Sequence, residues 1–292
     1  MNKSRHIHKA VIAAAGIGSR MLPATKAIPK EMLTIVDRPV IQHIVEELVA
    51  SGITDILFVT SPGKETIAEH FSSAPELEES LSASGKIALR DAIRDVATLA
   101  NFSFMLQTGP YGNGTPVLCA ESFVGDDPFI YVWPDDLVLS RDPFTKNLIA
   151  RYEATGCPVI GVDEVPYEEV HRYGVVDLDD ETGAIRRVVE KPTRAEAPSN
   201  LVQFGRMVLT RPIVDILKET ELGKGNELWL TDAIATHVAR GERFLAERIP
   251  DGKWLTTGDP LNNLKAVVEH ALDDPRVSGE FRSYLLTRLQ HD

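Results

Sequence analysis

The chain has 292 residues, 43% hydrophobic and 25% charged, which is typical of a folded globular protein and argues against a disordered one. No apolar run approaches the roughly 18 residues that a membrane-spanning helix needs, so we expect no membrane partner. The 31 basic and 43 acidic residues give a net charge of −12, so we expect no nucleic-acid partner, although local anion sites remain possible.

Apolar runs of strand length alternate with segments of helical period over the first part of the chain. A buried strand at 11–15 ends in Gly16, and the amphipathic helix that follows at 40–49 is closed by Gly52. Further strands are predicted at 55–60, 102–107, 128–133 and 158–162, and further helices at 64–71, 75–98, 115–122 and 143–155. This alternation predicts an α/β fold with a mostly parallel central sheet and helices on both faces.

The pattern changes after about residue 160. Residues 173–178 and 185–189 alternate in polarity on either side of a turn at 179–183, which predicts an inserted β-hairpin region. Helices are predicted after it at 211–218, 227–240, 260–272 and 278–290. No linker rich in proline, glycine or serine interrupts the chain, so we expect one compact unit.

Ligands of parallel α/β sheets bind beyond the carboxyl ends of the strands. That rule brings 16–20, 107–114 and 134–136 to one mouth. The first of these segments lacks the third glycine of a dinucleotide fingerprint, because Met21 stands there, and it also lacks the Gly-Lys-Ser/Thr of a Walker A loop.

The loop after the first strand carries the cations Arg20, Lys26 and Lys30, and two prolines stiffen it. Fixed cations beside free backbone amides suit a polyphosphate. From residue types alone, a solvated basic loop is about as good an interpretation.

The stretch 16–32 reads GIGSRMLPATKAIPKEM and resembles the signature loop of bacterial UTP–glucose-1-phosphate uridylyltransferases. Shorter collinear motifs extend the resemblance over nearly the whole chain: DRPVIQ at 37–42, YGVVD at 173–177, VEKP at 189–192, APSNL at 197–201, LTDAI at 230–234 and LKA at 264–266.

The resemblance implies a Rossmann-like nucleotidyltransferase fold in a single domain spanning 1–292. Residues 1–136 would form its nucleotide-binding half, and residues 137–292 its sugar-binding half and C-terminal helices. It implies a reaction in which UTP and glucose 1-phosphate give UDP-glucose and pyrophosphate, with Mg²⁺ as cofactor. It also implies a homo-oligomer, either a dimer or a tetramer.

The resemblance also assigns site residues by position. Arg20 and Lys30 would hold the triphosphate as the catalytic cations, and Asp135 would bind the metal. The nucleotide would contact Ala14, Gly16, Gly18, Gln107, Gly112 and Asp135, and the sugar would contact Gly174, Glu190 and Lys191. Without the resemblance, a turn-forming Asp135–Asp136 pair and solvated charges at Glu190 and Lys191 remain open.

Four positions depart from the family pattern. Thr256 stands where the family has a second metal-binding aspartate, and Asp136 or Asp259 is a possible substitute for it. Tyr111 and Thr115 replace the usual lysine and histidine, and Trp229 replaces a glutamine. These departures leave an alternative open, in which a catalytically impaired homologue binds nucleotide or nucleotide sugar as a regulator or partner subunit.

The two cysteines, Cys119 and Cys157, lie in apolar surroundings without metal-ligand spacing, so we expect reduced thiols rather than a disulfide. No targeting segment precedes the first strand, which predicts a cytoplasmic protein.

Overall fold

The structure is a computed structural model that describes residues 6–179 and 181–290. Its strands are β1 (Lys9–Ala13), β2 (Thr34–Ile35), β3 (Arg38–Pro39), β4 (Asp55–Thr60), β5 (Asn101–Leu106), β6 (Phe129–Val132), β7 (Asp136–Ser140), β8 (Val159–Glu164), β9 (Gly174–Leu178), β10 (Ile185–Glu190), β11 (Leu201–Leu209), β12 (Leu245–Arg248) and β13 (Gly252–Thr256).

The helices are α1 (Val40–Ala50), α2 (Glu65–His70), α3 (Pro75–Ala83), α4 (Ile87–Ala97), α5 (Thr115–Cys119), α6 (Glu121–Val124), α7 (Phe144–Thr155), α8 (Arg211–Glu219), α9 (Leu230–Ala239), α10 (Pro260–Asp273) and α11 (Ser278–Leu289). Among the described residues, no helix is both long enough and apolar enough to cross a bilayer.

The central sheet runs in the order β10-β9-β11-β6-β1-β4-β5, and β8 also pairs with β11 and carries β12 on its other side. The strands β6, β1, β4 and β5 are parallel. The long strand β11 is antiparallel to β6, β8 and β9, and β9 and β10 form the inserted hairpin. Two small antiparallel ribbons, β7 with β13 and β2 with β3, lie outside this sheet.

Helices cover both faces of the sheet and bury two hydrophobic clusters. One cluster packs α1 and α7 against one face through residues such as Ile44 and Leu148. The other packs α5, α8 and α9 against the opposite face through residues such as Val117, Ile213 and Ile234. The predicted α/β, Rossmann-like fold class is therefore confirmed.

The predicted elements are largely present, and two predicted helices are divided. The helix expected over 75–98 breaks into α3 and α4 at Gly85, whose φ of 71° is left-handed and ends the first helix. The helix expected over 115–122 is likewise two short helices, α5 and α6. In the predicted hairpin turn, Asp180 lies outside the described residues.

The sequence interpretation missed several strands, of which β11 is the most consequential. All nine of its residues are buried, so its two faces do not alternate in polarity. It also contains Arg206, whose fully buried guanidinium donates to Glu47 at 2.7 Å and 3.0 Å. A charged residue inside an apolar run argues against a buried strand when only the sequence is known. The partner that makes the burial of Arg206 possible, Glu47, lies far away in the chain on α1.

The parallel strands fix where the site forms. β1, β5 and β6 all end at the same edge of the sheet, and the segments that follow them begin with Ala14, Gln107 and Trp133. The end of β13 approaches this edge as well, since the amide of Thr257 donates to the carbonyl of Asp135 at 2.7 Å.

Candidate active site

The loop after β1 folds back on itself through three short 3-10 turns. Gly18 has a φ of 71°, and a Cβ atom there would lie 3.3 Å from the Cβ of Lys30. The Thr25 hydroxyl closes the loop by donating to the Gly18 carbonyl at 2.8 Å. Glycine at position 18 therefore provides the backbone conformation and the close packing that bring Lys30 up to the end of β1.

Three charged side chains meet at the mouth. The Lys30 ammonium donates to Oδ2 of Asp135 at 2.7 Å, and the Arg20 guanidinium lies 4.0 Å from the same oxygen. Lys30 and Asp135 are mostly buried, whereas 60% of the Arg20 side chain is exposed. Arg20 is therefore the cation in this group that faces the solvent-filled mouth.

The pair of Lys30 and Asp135 is ionised in spite of its burial. Burial opposes the charged ammonium, but the negative charges of Asp135 and Glu31 outweigh it and raise the pKa of Lys30. Burial likewise opposes the Asp135 carboxylate, but Lys30 and Arg20 together lower the pKa of that carboxyl. The group of Arg20, Lys30 and Asp135 thus holds two cations and one carboxylate.

Asp136, the next residue, is 5% exposed and lines the cleft over the hairpin that is described below. Its two oxygens accept hydrogen bonds from the Gly205 amide and from the Trp254 indole, each at 2.8 Å. Burial, followed by the neighbouring charge of Asp135, raises the pKa of Asp136 to about 6. This carboxyl therefore joins β7, β11 and β13 at the floor of the cleft.

The candidate metal ligand Asp135 holds its carboxylate at the mouth beside Lys30. Asp259, the other candidate, caps α10 through the Asn262 amide at 3.1 Å and pairs with Arg172 at 2.6 Å. The described residues contain no group of three or more His, Cys, Asp or Glu side chains that could hold a metal. Both candidate substitutes for an acid at position 256, Asp136 and Asp259, are thus engaged in hydrogen bonds within the protein.

A cleft that we call the Gly16 cleft lies over the ends of β1 and β5. It is lined by Gly16, Lys30, Gln107, Gly112 and Asp135, among others. A Cβ atom at Gly112 would lie 2.2 Å from the Leu228 carbonyl oxygen, and the φ of Gly112 is 133°. Only glycine allows the loop after β5 to pack this closely against the segment before α9.

A second cleft, the Glu190 cleft, lies beside it over the hairpin. It is lined by Arg20, Asp135, Gly174, Glu190, Lys191 and Thr256, among others. Burial raises the pKa of Glu190, although a hydrogen bond from the Thr231 hydroxyl at 2.6 Å acts against that rise. The Lys191 ammonium lies 4.0 Å from the centre of the Trp229 ring, over its face.

The two clefts join. Five residues line both of them, namely Asn113, Trp133, Asp135, Lys191 and Trp229. A ligand could therefore extend from the glycine-rich loops across Asp135 to Glu190 without leaving the protein surface.

The chain resembles known enzymes over almost its full length. A family model described as nucleotidyl transferase matches residues 9–271. The UTP–glucose-1-phosphate uridylyltransferases of Staphylococcus epidermidis and Bacillus subtilis are 42% and 40% identical to it over 284 residues, which cover 96% of this chain and 98% and 97% of theirs. The chain belongs to the UTP–glucose-1-phosphate uridylyltransferase family.

Solved structures agree with this membership. A UTP-bound UDP-glucose pyrophosphorylase from Acinetobacter baumannii superposes with a TM-score of 0.86 at 37% identity, covering 96% of this chain and 99% of that one. A UDP-glucose pyrophosphorylase complexed with UDP-glucose has a TM-score of 0.82 at 36% identity, covering 92% of this chain and 100% of that one. The family resemblance seen in the sequence is confirmed.

The structure brings most of the predicted uridylyltransferase site residues to the two clefts. Ala14 and Gly18 are the exceptions. Ala14 is fully buried, with its amide donating to the Val59 carbonyl at 2.8 Å, and its neighbours Ala13 and Ala15 line the Gly16 cleft instead. Gly18 packs under Lys30, as described above. Both glycine and alanine here shape the loop rather than line its surface.

Two residues that the sequence interpretation did not single out help to build the site. Asn113 lines both clefts, and its side-chain oxygen accepts the amide of Leu230 at 2.8 Å. A Cβ atom at Gly258 would lie 2.9 Å from the Arg20 guanidinium and 3.0 Å from the Asp135 carboxylate. The sequence features that could have identified them are the Thr-Gly-Asp turn after β13 for Gly258 and the position between two glycines for Asn113.

The other family departures have structural explanations. The Thr115 hydroxyl donates to the Pro110 carbonyl at 2.6 Å and is buried, so it braces the glycine-rich loop. Tyr111 is about half exposed and lies beside Gly16 in the Gly16 cleft. The Trp229 indole donates to the Lys224 carbonyl at 2.8 Å, which holds the ring in place beneath Lys191.

Proposed function

We propose that this protein transfers the uridylyl group of UTP to glucose 1-phosphate and releases pyrophosphate. The observation that carries the proposal is the pair of joined clefts, with Arg20, Lys30 and Asp135 at their junction. A nucleotide triphosphate and a sugar phosphate need adjacent sites that share one charged point, and this arrangement provides it. The named relatives supply the identity of the base and the sugar.

The Gly16 cleft is proposed to hold UTP. Gln107 presents an amide that can both donate and accept, which suits the edge of uracil. The close packing at Gly112 keeps the loop low enough for a base to lie over it. Arg20 and Lys30 would neutralise phosphate oxygens, and the planar guanidinium of Arg20 can bind two of them at once.

The Glu190 cleft is proposed to hold glucose 1-phosphate. The Glu190 carboxylate would accept hydrogen bonds from sugar hydroxyls, and the Lys191 ammonium would bind the phosphate, with Gly174 leaving room for the ring. A phosphate oxygen of the sugar would attack the α-phosphorus of UTP in line. A new P–O bond forms as the bond to pyrophosphate breaks, so catalysis rests on positioning and charge neutralisation.

We propose Mg²⁺ as the divalent metal of this site. Asp135 supplies one carboxylate at the junction of the clefts, which fits an ion that keeps several waters and binds substrate phosphates. When bound, the ion would add positive charge at the phosphates. The proposal includes the division of one domain into a nucleotide-binding half at 1–136 and a sugar-binding half at 137–292.

We also propose a cytoplasmic homo-oligomer. The free thiols of Cys119 and Cys157 suit a reducing compartment. Exposed apolar side chains on the last two helices support self-association: Leu261, Leu264, Tyr284, Leu286 and Leu289.

The test is pyrophosphate release from the purified chain with a panel of nucleotides and sugar 1-phosphates. We expect UTP with glucose 1-phosphate to be the best pair. Arg20→Ala should nearly abolish turnover, and Lys191→Ala should raise the KM for the sugar phosphate far more than that for UTP. Arg248→Ala is the matched control, because this exposed arginine pairs with Glu164 on β8 and lines neither cleft.

Two results would contradict the proposal. Full activity of a folded Arg20→Ala variant would remove the signature loop from the reaction. Tight binding of UTP or UDP-glucose without turnover at any Mg²⁺ concentration would favour the alternative of a catalytically impaired homologue. That alternative was raised because Thr256 stands where the family has a second metal-binding aspartate.

A further inference from the structure

Two buried polar side chains stand behind Glu190 and have no part in the function proposed so far. The Gln203 amide donates to the Thr231 hydroxyl at 2.7 Å, and that hydroxyl donates to Oε2 of Glu190 at 2.6 Å. Gln203 and Thr231 are each 1% exposed. The chain of hydrogen bonds runs from the middle of β11, through the first turn of α9, to the end of β10.

The direction of this chain is fixed by its chemistry. The threonine hydroxyl has a single hydrogen, and that hydrogen is donated to the Glu190 carboxylate. The hydroxyl oxygen can therefore only accept from Gln203, which requires the NH₂ of the amide to face it. The other end of the amide, Oε1, is buried and finds no hydrogen-bond partner among the described residues. The Gln203 amide thus donates to Thr231 even though its own oxygen, Oε1, accepts no hydrogen bond from the described residues.

The Gln203 side chain is also held sterically. A Cβ atom at Gly174 would lie 2.4 Å from Gln203 Nε2, so the amide is wedged between the start of β9 and Thr231. Because β11 is buried along its length, the wedge cannot move without displacing core residues. The position of the Thr231 hydroxyl is therefore set by the sheet.

The Glu190 carboxylate needs such support. It is largely buried, and Lys191 lies 3.8 Å from its other oxygen, Oε1. Burial raises the pKa of Glu190, while the Thr231 hydroxyl and then the charge of Lys191 act against that rise. Thr231 therefore occupies one acceptor site of Oε2 in a carboxylate that lines the Glu190 cleft.

We propose that Thr231, supported by Gln203, is the positioning residue that aims the Glu190 carboxylate at the hydroxyls of the sugar substrate. This inference rests on the proposed function, since it assumes that Glu190 binds the sugar. If it is right, the protein distinguishes sugars with and without those hydroxyls through Gln203 on β11 and Thr231 on α9 as well as through Glu190.

The experiment compares Thr231→Val, which removes the donor at nearly constant shape, with Thr231→Ser, which keeps it. Thr231→Val should raise the KM for glucose 1-phosphate about 10-fold to 100-fold, the range for a hydrogen bond to a charged group, and should leave the KM for UTP nearly unchanged. Thr231→Ser should stay close to the unmodified protein. Gln203→Met should give a smaller rise than Thr231→Val, because the hydroxyl still reaches Glu190.

Thr236→Val is the matched control. It is the same substitution five residues later in α9, where the hydroxyl donates to the Asp232 carbonyl of its own helix and to no other group of the described residues. Thermal melting of all variants shows whether they fold. If Thr231→Val does not fold, the KM of Gln203→Met for glucose 1-phosphate still tests the positioning role.

Two further readouts separate positioning from general support of the fold. With monodeoxy glucose 1-phosphates, the loss of the hydroxyl that Glu190 accepts should matter less in Thr231→Val than in the unmodified protein. The acid limb of the pH profile for sugar-phosphate use should move to higher pH in Thr231→Val, because the Glu190 carboxylate loses its donor. The charges facing Glu190 are Lys191, Asp232 and Glu227, and the variant leaves all three in place.

The outcomes are distinct. If the unmodified protein turns over and Lys191→Ala behaves as expected, but Thr231→Val keeps its KM and its deoxy-sugar penalties, the positioning role is wrong and the proposed function stands. If the unmodified protein neither turns over nor binds glucose 1-phosphate by calorimetry, the proposed function and this inference fail together. Equal losses in Thr231→Val and Thr236→Val would also overturn the inference.

Discussion

Replacing Lys64 with methionine should destabilise the protein strongly, because it leaves a carboxylate buried alone. The Lys64 ammonium lies 2.8 Å and 2.9 Å from the two oxygens of Glu31. Glu31 is fully buried and Lys64 nearly so. Burial lowers the pKa of Lys64, although the charge of Glu31 acts against this. The pair joins the signature loop to the loop between β4 and α2.

The magnitude follows from that burial. Breaking a buried ion pair by removing one partner costs about 3–5 kcal/mol, because the remaining charge has no compensation. Replacing both partners by apolar residues of similar volume is often neutral or stabilising, so Glu31→Leu with Lys64→Met should recover most of the loss. The double variant is thus expected to be more stable than Lys64→Met alone.

Guanidinium chloride unfolding of the two single variants and the double variant measures this coupling. The KM for UTP is the second readout, because Glu31 is next to Lys30 and its burial anchors that turn. A loss below about 1 kcal/mol in Lys64→Met, or additive losses in the double variant, would refute the argument from an uncompensated charge.

Two other changes test the packing at the site. Gly112→Ala should lower the free energy of unfolding by roughly 1–3 kcal/mol and raise the KM for UTP. The new Cβ would lie 2.2 Å from the Leu228 carbonyl oxygen, on a residue whose positive φ disfavours any side chain. Gly279→Ala is the control, because a Cβ atom there would have no atom within 4 Å. The pKa of Asp136 is raised from 3.8 to about 6 by burial and then by Asp135, so its contribution to stability is full below pH 4 and is lost as the pH rises through 6. The stability of the unmodified protein relative to Asp136→Asn should therefore fall across that window in urea unfolding, and a constant difference would contradict the assignment.

Hydrophobic periodicity predicted those elements that pack one apolar face against the rest of the protein. The helix α1 buries Ile41, Ile44 and Leu48 at helical spacing and leaves its polar residues His43, Glu46 and Glu47 partly buried, so its pattern alone identifies it. The strand β11 has no solvent face, and its Arg206 is explained only by Glu47 on α1. Its existence depends on contacts between segments far apart in the chain, which periodicity does not contain.

The site divides in the same way. The rule that ligands bind at the carboxyl ends of parallel strands brought Gly16, Gln107 and Asp135 together from sequence alone, and the structure has them lining one cleft. The partners of Glu190 were not foreseeable, because Thr231 and Gln203 come from elements whose packing angle no local pattern specifies. A motif identifies the residue that bears the charge, while the fold decides which residues orient it.

Thr256 bears on the proposal that Asp135 is the one acid that holds the metal ion. It is the last residue of β13 and pairs in register with Asp136. The next residue, Thr257, is anchored to the Asp135 carbonyl, and Gly258 lies against both Arg20 and Asp135. Position 256 therefore lines the Glu190 cleft beside Asp135 on a segment that is already fixed.

An aspartate introduced by Thr256→Asp would place a second carboxylate next to Asp135 in the cleft. We expect it to lower the Mg²⁺ concentration needed for half-maximal pyrophosphate release, because a charged oxygen ligand would join the one that Asp135 is proposed to supply. Without metal, the added charge should destabilise the protein, since Asp135 and Asp136 line the same cleft. Mg²⁺ with UTP should reverse that loss in thermal melting. Thr256→Asn is the matched control, because it has the same shape and a neutral oxygen. An unchanged Mg²⁺ requirement in Thr256→Asp would mean that position 256 lies outside the metal's reach. Equal effects of aspartate and asparagine would mean that shape, not charge, limits the unmodified site.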